Sequence, residues 1–151
     1  MKMVYKKKIV LFNPRAHPDD YNIRLPLSVL CVASLVHKEY DVKITFDVPD
    51  RDYHKDVLDL CEDAVCLGIH AMTGYQIKDG LKLCKLVKKK YSDLPIIWGG
   101  YHPTILPRQT LENPYVDFVV RGYGRTTFKE LVDALESKRT LKSVKGIGYK
   151  K

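Results

Sequence analysis

The stretch Gly99-Gly-Tyr-His-Pro-Thr104 concentrates residue types that suit the close approach of a ligand. It follows a short apolar run, Ile96-Ile-Trp98, so the glycine pair stands at a strand end. Backbone there can take φ > 0 and lie against a bulky partner. His102 and Tyr101 place an imidazole and a phenol just beyond, and Pro103 presets φ for a first helical turn. A glycine pair alone is ordinary turn punctuation. Here it has company: Asn13-Pro14, Met72-Thr73-Gly74 and Gly122-Tyr123-Gly124 each close another apolar run. Residues of these types hold a ligand on backbone groups and do not by themselves perform covalent chemistry. His102, Asp117 and Asp20 are the acid–base candidates, yet no spacing sets a nucleophile beside a base, and no catalytic residue is assigned. Cys31, Cys61, Cys66 and Cys84 show no metal-ligand spacing and read as small reduced core residues.

The elements that must carry these exits alternate along the chain. Lys8–Asn13, Val42–Asp47, Ala64–His70, Ile96–Trp98 and Val116–Val120 read as strands, most of them unbroken apolar runs of the kind buried on both faces of a parallel sheet. Val144–Tyr149 is a candidate sixth edge strand. Between them, Leu27, Leu30, Cys31, Ser34 and Leu35, with Val29, Val32 and Val36, make a helix apolar nearly all round. A short helix between 49 and 63 carries Val57, Leu58 and Cys61 on one side. Ile77, Leu81, Cys84, Val87 and Tyr91 step along a long amphipathic helix. Pro107–Asn113 is a further short helix, and Thr127-Phe-Lys-Glu130 reads as a capping box opening the last one. The expected fold is α/β, a doubly wound, mainly parallel five-stranded sheet of flavodoxin-like order with a possible sixth edge strand. In that order the strand exits gather on one edge, where open α/β sheets take their ligands. The loop from Pro14 to about Leu25 is long for a strand–helix connection and is expected to be functional or disordered.

At 151 residues, 45% hydrophobic and 29% charged, the chain is expected to form a single domain over 1–151. No apolar run approaches a membrane span, and the basic start leads directly into a strand, so no membrane partner and a cytoplasmic location are expected. The net charge of +8 collects at Lys6–Lys8, Lys88–Lys90 and Lys150–Lys151 without interleaved aromatics, which reads as solvated surface and not as a nucleic-acid site.

Ala71-Met-Thr-Gly74, Gly99-Gly-Tyr-His-Pro-Thr104, Thr110-Leu-Glu-Asn-Pro114, Val116-Asp-Phe-Val-Val-Arg-Gly122 and Thr127-Phe-Lys-Glu-Leu131 together resemble the N-terminal cobalamin-binding domain of cobalamin-dependent radical S-adenosylmethionine enzymes. The resemblance runs from Ile9 to Tyr149. It implies a cobalamin (vitamin B12) binding module, with the corrin over the carboxyl edge of the sheet and the nucleotide tail between sheet and helices. Asn13, Pro14, Met72, Thr73, Gly74, Gly99, Gly100, Tyr101, His102, Pro103, Gly122, Tyr123 and Gly124 are then the cofactor-binding set. A Cβ at Gly100 would take the tail's space, so Gly100→Leu is expected to abolish binding and leave the fold intact. His70 and His102 could bond tail or corrin amides.

Departures from the family pattern shape the rest. The D-x-H-x-x-G that supplies an axial histidine in methyltransferase-type domains is absent; the chain reads Asn13-Pro-Arg-Ala-His-Pro-Asp-Asp20. Cobalamin is therefore expected base-off with no protein histidine on cobalt, His17 being the one alternative ligand in that loop. Gly-Glu-x-Glu is replaced by Gly122-Tyr-Gly-Arg125. The C-x-x-x-C-x-x-C of the radical domain is missing. The module is thus not expected to catalyse alone but to serve methyl transfer or radical chemistry on a partner or missing catalytic domain. The reading from another class is a flavodoxin-like module for a flavin or nucleotide, which the same crevice would serve. Against it, neither G-x-G-x-x-G nor G-x-x-x-x-G-K-[ST] occurs.

Overall fold

The computed structural model describes residues 6–19, 24–48 and 51–150. Asp20 and the first residues of the expected 49–63 helical segment lie outside them, as does Lys151. Six strands form one sheet: β1 (Lys8–Asn13), β2 (Asp41–Phe46), β3 (Ala64–His70), β4 (Ile96–Gly99), β5 (Phe118–Val120) and β6 (Ile147–Tyr149), in the order β2-β1-β3-β4-β5-β6. All neighbouring pairs are parallel except β5 with β6, which run antiparallel. The doubly wound α/β sheet and its sixth edge strand are as expected from the sequence.

The period-2 pleat divides the apolar runs between two cores. Val10, Phe12, Leu67, Ile69, Trp98 and Val119 face one side, under α2 (Tyr53–Leu60) and α3 (Tyr75–Lys90). Ile9, Leu11, Cys66, Ile97 and Val120 face the other, under α1 (Leu27–Val36) and α6 (Arg125–Leu135). Burial of side chains as large as Trp98 and Phe12 is worth ~1.5–3 kcal/mol each and is the main force holding the layers. Two short helices, α4 (Tyr101–Ile105) and α5 (Pro107–Glu112), occupy the β4–β5 connection.

Two expectations are corrected. The helix α1 is not buried all round: Val29, Ala33 and Val36 face the core, whereas Leu27 is 71% and Leu30 40% exposed. A helix covering one sheet face buries one stripe, and these leucines lie off it. The capping box does not form either. The N-cap of α6 is Gly124, whose carbonyl accepts from the Phe128 N–H at 2.7 Å, so Thr127 and Glu130 sit inside the helix.

Candidate functional site

Between the sheet and the α1–α6 layer, at the carboxyl ends of the strands, lies a cavity of about 160 Å³. Leu11, Gly68, His70, Ile97, Gly99 and Val120 supply its sheet side, alternate residues that the pleat puts on one face. Ser28, Val29, Cys31 and Val32 of α1 and Phe128 of α6 roof it. Gly100, Tyr123 and Arg125 stand at its rim with Gly122 and Gly124. Gly99, paired with His70, leaves space on the sheet side, whereas Gly68, paired with Ile97, lets the Leu11 and Phe128 side chains pack directly on the strand.

The signature residues at the strand exits form a wiring scheme. His102 N–H donates to the Ala71 carbonyl at 3.0 Å, and its ring Nδ1 lies 3.2 Å from the Thr73 hydroxyl. The Thr104 hydroxyl donates to the Gly100 carbonyl at 2.7 Å and accepts from the Gly122 N–H at 2.9 Å. The exits of β3, β4 and β5 are thereby tied to one another. Gln76 does the same across the switch point between β1 and β3. Its amide donates to the Pro14 carbonyl and accepts from the Met72 N–H, each at 2.8 Å.

One turn further along α3, the buried Asp79 accepts from the Arg15 N–H and the Tyr53 hydroxyl, both at 2.8 Å. His54 Nε2 lies 2.9 Å from the same carboxylate, off the line of its N–H. Burial alone would raise the Asp79 carboxyl. His54, the Arg15 N–H and the Tyr53 hydroxyl outweigh it and hold the group below its ordinary value of 3.8. Arg15 reaches Asp47 at 3.1 Å, so the first turn of the β1 exit loop is anchored twice.

Of the residues expected at the site, Gly99, Gly100, Gly122, Tyr123 and Gly124 line the cavity. Asn13, Pro14, Met72, Thr73, Gly74, Tyr101, His102 and Pro103 stand on the same sheet edge but do not line it. Pro14, His102 and Pro103 are buried, while Met72 and Tyr101 are 54% and 62% exposed. His17 is largely exposed and its Nδ1 accepts from the Asp19 N–H at 3.2 Å. Among the described residues no three His, Cys, Asp or Glu side chains converge as metal ligands. His70 does line the cavity; burial holds its imidazole below the ordinary value, and Nδ1 lies 3.3 Å from the Ser28 hydroxyl.

The lining residues not expected at the site from the sequence include the α1 roof, Leu11, Gly68, Ile97, Val120 and Phe128. A glycine within an apolar strand was the available signal for Gly68. Tyr123 and Arg125, which replace the acids of the family pattern, latch the β5 exit onto α1: Tyr123 Oη lies 3.1 Å from Cys31 Sγ, and Arg125 Nε donates to the Ser34 hydroxyl at 2.8 Å.

Gly100 changes its meaning in this geometry. Its φ is +102°, and a Cβ would come within 2.7 Å of His70 Nδ1 and 2.9 Å of the Ala71 carbonyl. The fold itself demands glycine there, so Gly100→Leu would disturb the fold whether or not a ligand binds. At Gly99 a Cβ meets only Val120, at 3.8 Å or more, and any larger side chain would enter the cavity.

Residues 22–132 match the family described as the B12 binding domain. The chain belongs to the B12-binding domain family. The cofactor of this family is cobalamin, and the observed hollow, floored by glycine at Gly99 and walled by aliphatic side chains, suits the insertion of a flat group. An uncharacterized methyltransferase of Pyrococcus horikoshii is 38% identical over 128 residues, which is 83% of this chain and 28% of that protein. The cobalamin-dependent radical SAM methyltransferase TokK of Streptomyces tokunonensis is 38% identical over 53 residues, 34% of this chain and 8% of that one. Among solved structures, the cobalamin-dependent radical enzyme OxsB with aqua-cobalamin and S-adenosylmethionine bound superposes with a TM-score of 0.79 at 23% identity, over 95% of this chain and 21% of that one. The radical S-adenosylmethionine methyltransferase TsrM of Kitasatospora setae, with cobalamin and a [4Fe-4S] cluster bound, gives 0.78 at 17% identity over 97% and 27%. Such identities establish a shared fold, and the chain spans little more than a quarter of these relatives at most. Among the described residues no helix is long and apolar enough to cross a membrane.

Proposed function

We propose that this B12-binding domain holds cobalamin with the nucleotide tail in the α1–α6 cavity and the corrin over the exposed carboxyl edge of the sheet. The observation that carries this is the apolar hollow over Gly99, lined also by Gly100, Gly122 and Gly124. Tyr101, Met72, Leu27 and Tyr123 present exposed apolar surface on that edge, suited to cover the face of a flat macrocycle. Pro14, Thr73 and His102 fix the loops beneath it through the hydrogen bonds described above, and Asn13, Gly74 and Pro103 complete the same exits. Bound cobalamin supplies a cobalt centre able to carry a methyl group. The chain's own residues bind and orient it, and none is assigned a catalytic role.

The cavity walls Leu11, Val29, Ile97, Val120 and Phe128 would hold the nucleotide base, as a base-off cofactor requires, and no histidine of the chain would be assigned to cobalt. His102 is held by Thr73 and Ala71, and His17 is turned to Asp19. The domain acts as one unit over 1–151, in the cytoplasm. It serves a radical S-adenosylmethionine domain or protein, a reading supported by its likeness to TokK.

The test is a visible spectrum after incubation with hydroxocobalamin and desalting, for the natural chain and for Gly99→Leu. The natural chain is expected to retain colour with base-off bands. Gly99→Leu is expected to elute colourless with unchanged far-UV circular dichroism, since its side chain fills space and strains no backbone. Equal retention by both proteins would move the tail out of this cavity. A colourless natural chain would end the cobalamin reading for this sequence.

A further inference from the structure

We infer that the α1–α6 cavity discriminates among corrinoids by their lower base, taking a benzimidazole-class base in preference to a purine-class one. The inference rests on the reading that the nucleotide tail enters this cavity. Its inner walls are Leu11, Val29, Val32, Ile97, Val120 and Phe128, with Gly68 and Gly99 between them. The sheet backbone there is already spent in the parallel ladder, where Gly68 pairs with Ile97 and Ile69 with Trp98. From Leu30 onward the roof backbone is spent in the hydrogen bonds of α1, the N–H groups of Ser28 and Val29 belonging to its first turn. The polar side chains of the lining sit toward the rim and already have partners: Ser28 with His70, Cys31 with Tyr123, and Arg125 with Ser34. The cavity is therefore apolar at its depth and polar at its mouth.

The two base classes differ at the end that goes in deepest. A benzimidazole base attaches to its sugar through the five-membered ring. Its six-membered ring carries only carbon, with methyl groups in cobalamin. An adenine-type base puts an exocyclic amine and two further ring nitrogens on that distal ring. Buried among aliphatic side chains, these polar groups lose water and gain no partner, whereas methyl groups gain contacts. Size agrees for the distal ring: an apolar cavity of about 150 Å³ holds a benzene ring, and this one of about 160 Å³ opens at the rim, toward which the second ring and the sugar would extend.

The experiment compares dissociation constants by absorbance titration for cobalamin, an adenine-based cobamide and cobinamide, which lacks the base altogether. Cobalamin is expected to bind at least about tenfold tighter than the adenine form, the range expected for unpaired buried polar groups. Cobinamide is expected to bind more weakly than cobalamin. Val120→Thr, which adds one hydroxyl to the wall at nearly constant shape, is expected to narrow the cobalamin-to-adenine ratio. Should that variant fold poorly, the ratio for the natural chain decides alone. Equal constants for cobalamin and the adenine form would overturn base selection while leaving cobalamin binding intact. Cobinamide binding as tightly as cobalamin would overturn it by showing the cavity unused. Failure of all three to bind would remove the cobalamin reading itself.

Discussion

Cys31 differs from the other three cysteines in a way that reports on the site. Cys61, Cys66 and Cys84 are buried, and burial pushes the thiols of Cys61 and Cys84 up to about 12 and raises that of Cys66 as well. As thiols rather than thiolates, shielded from solvent, they should be inert toward alkylation in the folded protein. Cys31 is half-exposed on the cavity roof beside Tyr123. Iodoacetamide added to the native protein is therefore expected to modify Cys31 first, as peptide mass spectrometry would reveal. Saturating cobalamin is expected to slow that modification severalfold. Labelling of Cys31 at an unchanged rate with cobalamin bound would mean that the ligand leaves the roof uncovered. At this scale the sequence showed the glycine pair but not its division of labour. Gly99 leaves space, whereas Gly100 supplies a positive φ and avoids His70; only the placement of a neighbouring strand separates the two.

At the scale of elements, α3 does more than cover the sheet. Its first two turns carry Gln76 and Asp79, which hold the exits of β1 and β3. Neither residue stood out in the sequence, because a polar side chain on an amphipathic helix normally reads as its wet face. The strands were legible for the opposite reason: a parallel strand buried on both sides is written as an unbroken apolar run. The roof of the cavity was half legible. The periodicity of α1 showed apolar residues all round, but not which stripe meets the sheet or that Gly68 lies beneath it. The Asp79 carboxyl, held below 3.8 by His54, Arg15 and Tyr53, predicts an acid limit. A carboxyl with a lowered folded pKa contributes its full stabilisation above the unfolded value. That contribution is lost as pH falls below about 3.8 toward the folded value. Melting temperature is thus expected to fall more steeply with acidity below pH 4 in the natural protein than in Asp79→Asn. The variant should be less stable at pH 7, and the two curves should converge at low pH. Parallel curves down to pH 2 would assign the acid sensitivity to other carboxylates.

For the whole molecule, the cavity divides the α1–α6 core, leaving apolar walls that lack neighbours until something enters. Ligand binding confined to the native state raises stability by mass action, about 2.7 kcal/mol at a hundredfold excess over the dissociation constant. For a chain of this length that corresponds to a rise in melting temperature of roughly 5–10 °C. Cobalamin at that excess is expected to produce such a rise in the natural chain and none in Gly99→Leu. An equal rise in both would place the binding energy elsewhere. The antiparallel turn of the last strand has a different consequence. Because β6 runs against β5, with Tyr149 opposite Phe118, the chain past Tyr149 leaves from the edge where the parallel strands begin. Lys8, the first residue of β1, lies on that edge too. Both of these strand ends thus lie on the side away from the cavity mouth, so chain continuing from either would not cross the cavity edge. A module joined after Lys150 that is to reach over the mouth must climb the height of the sheet, about six extended residues or roughly 20 Å.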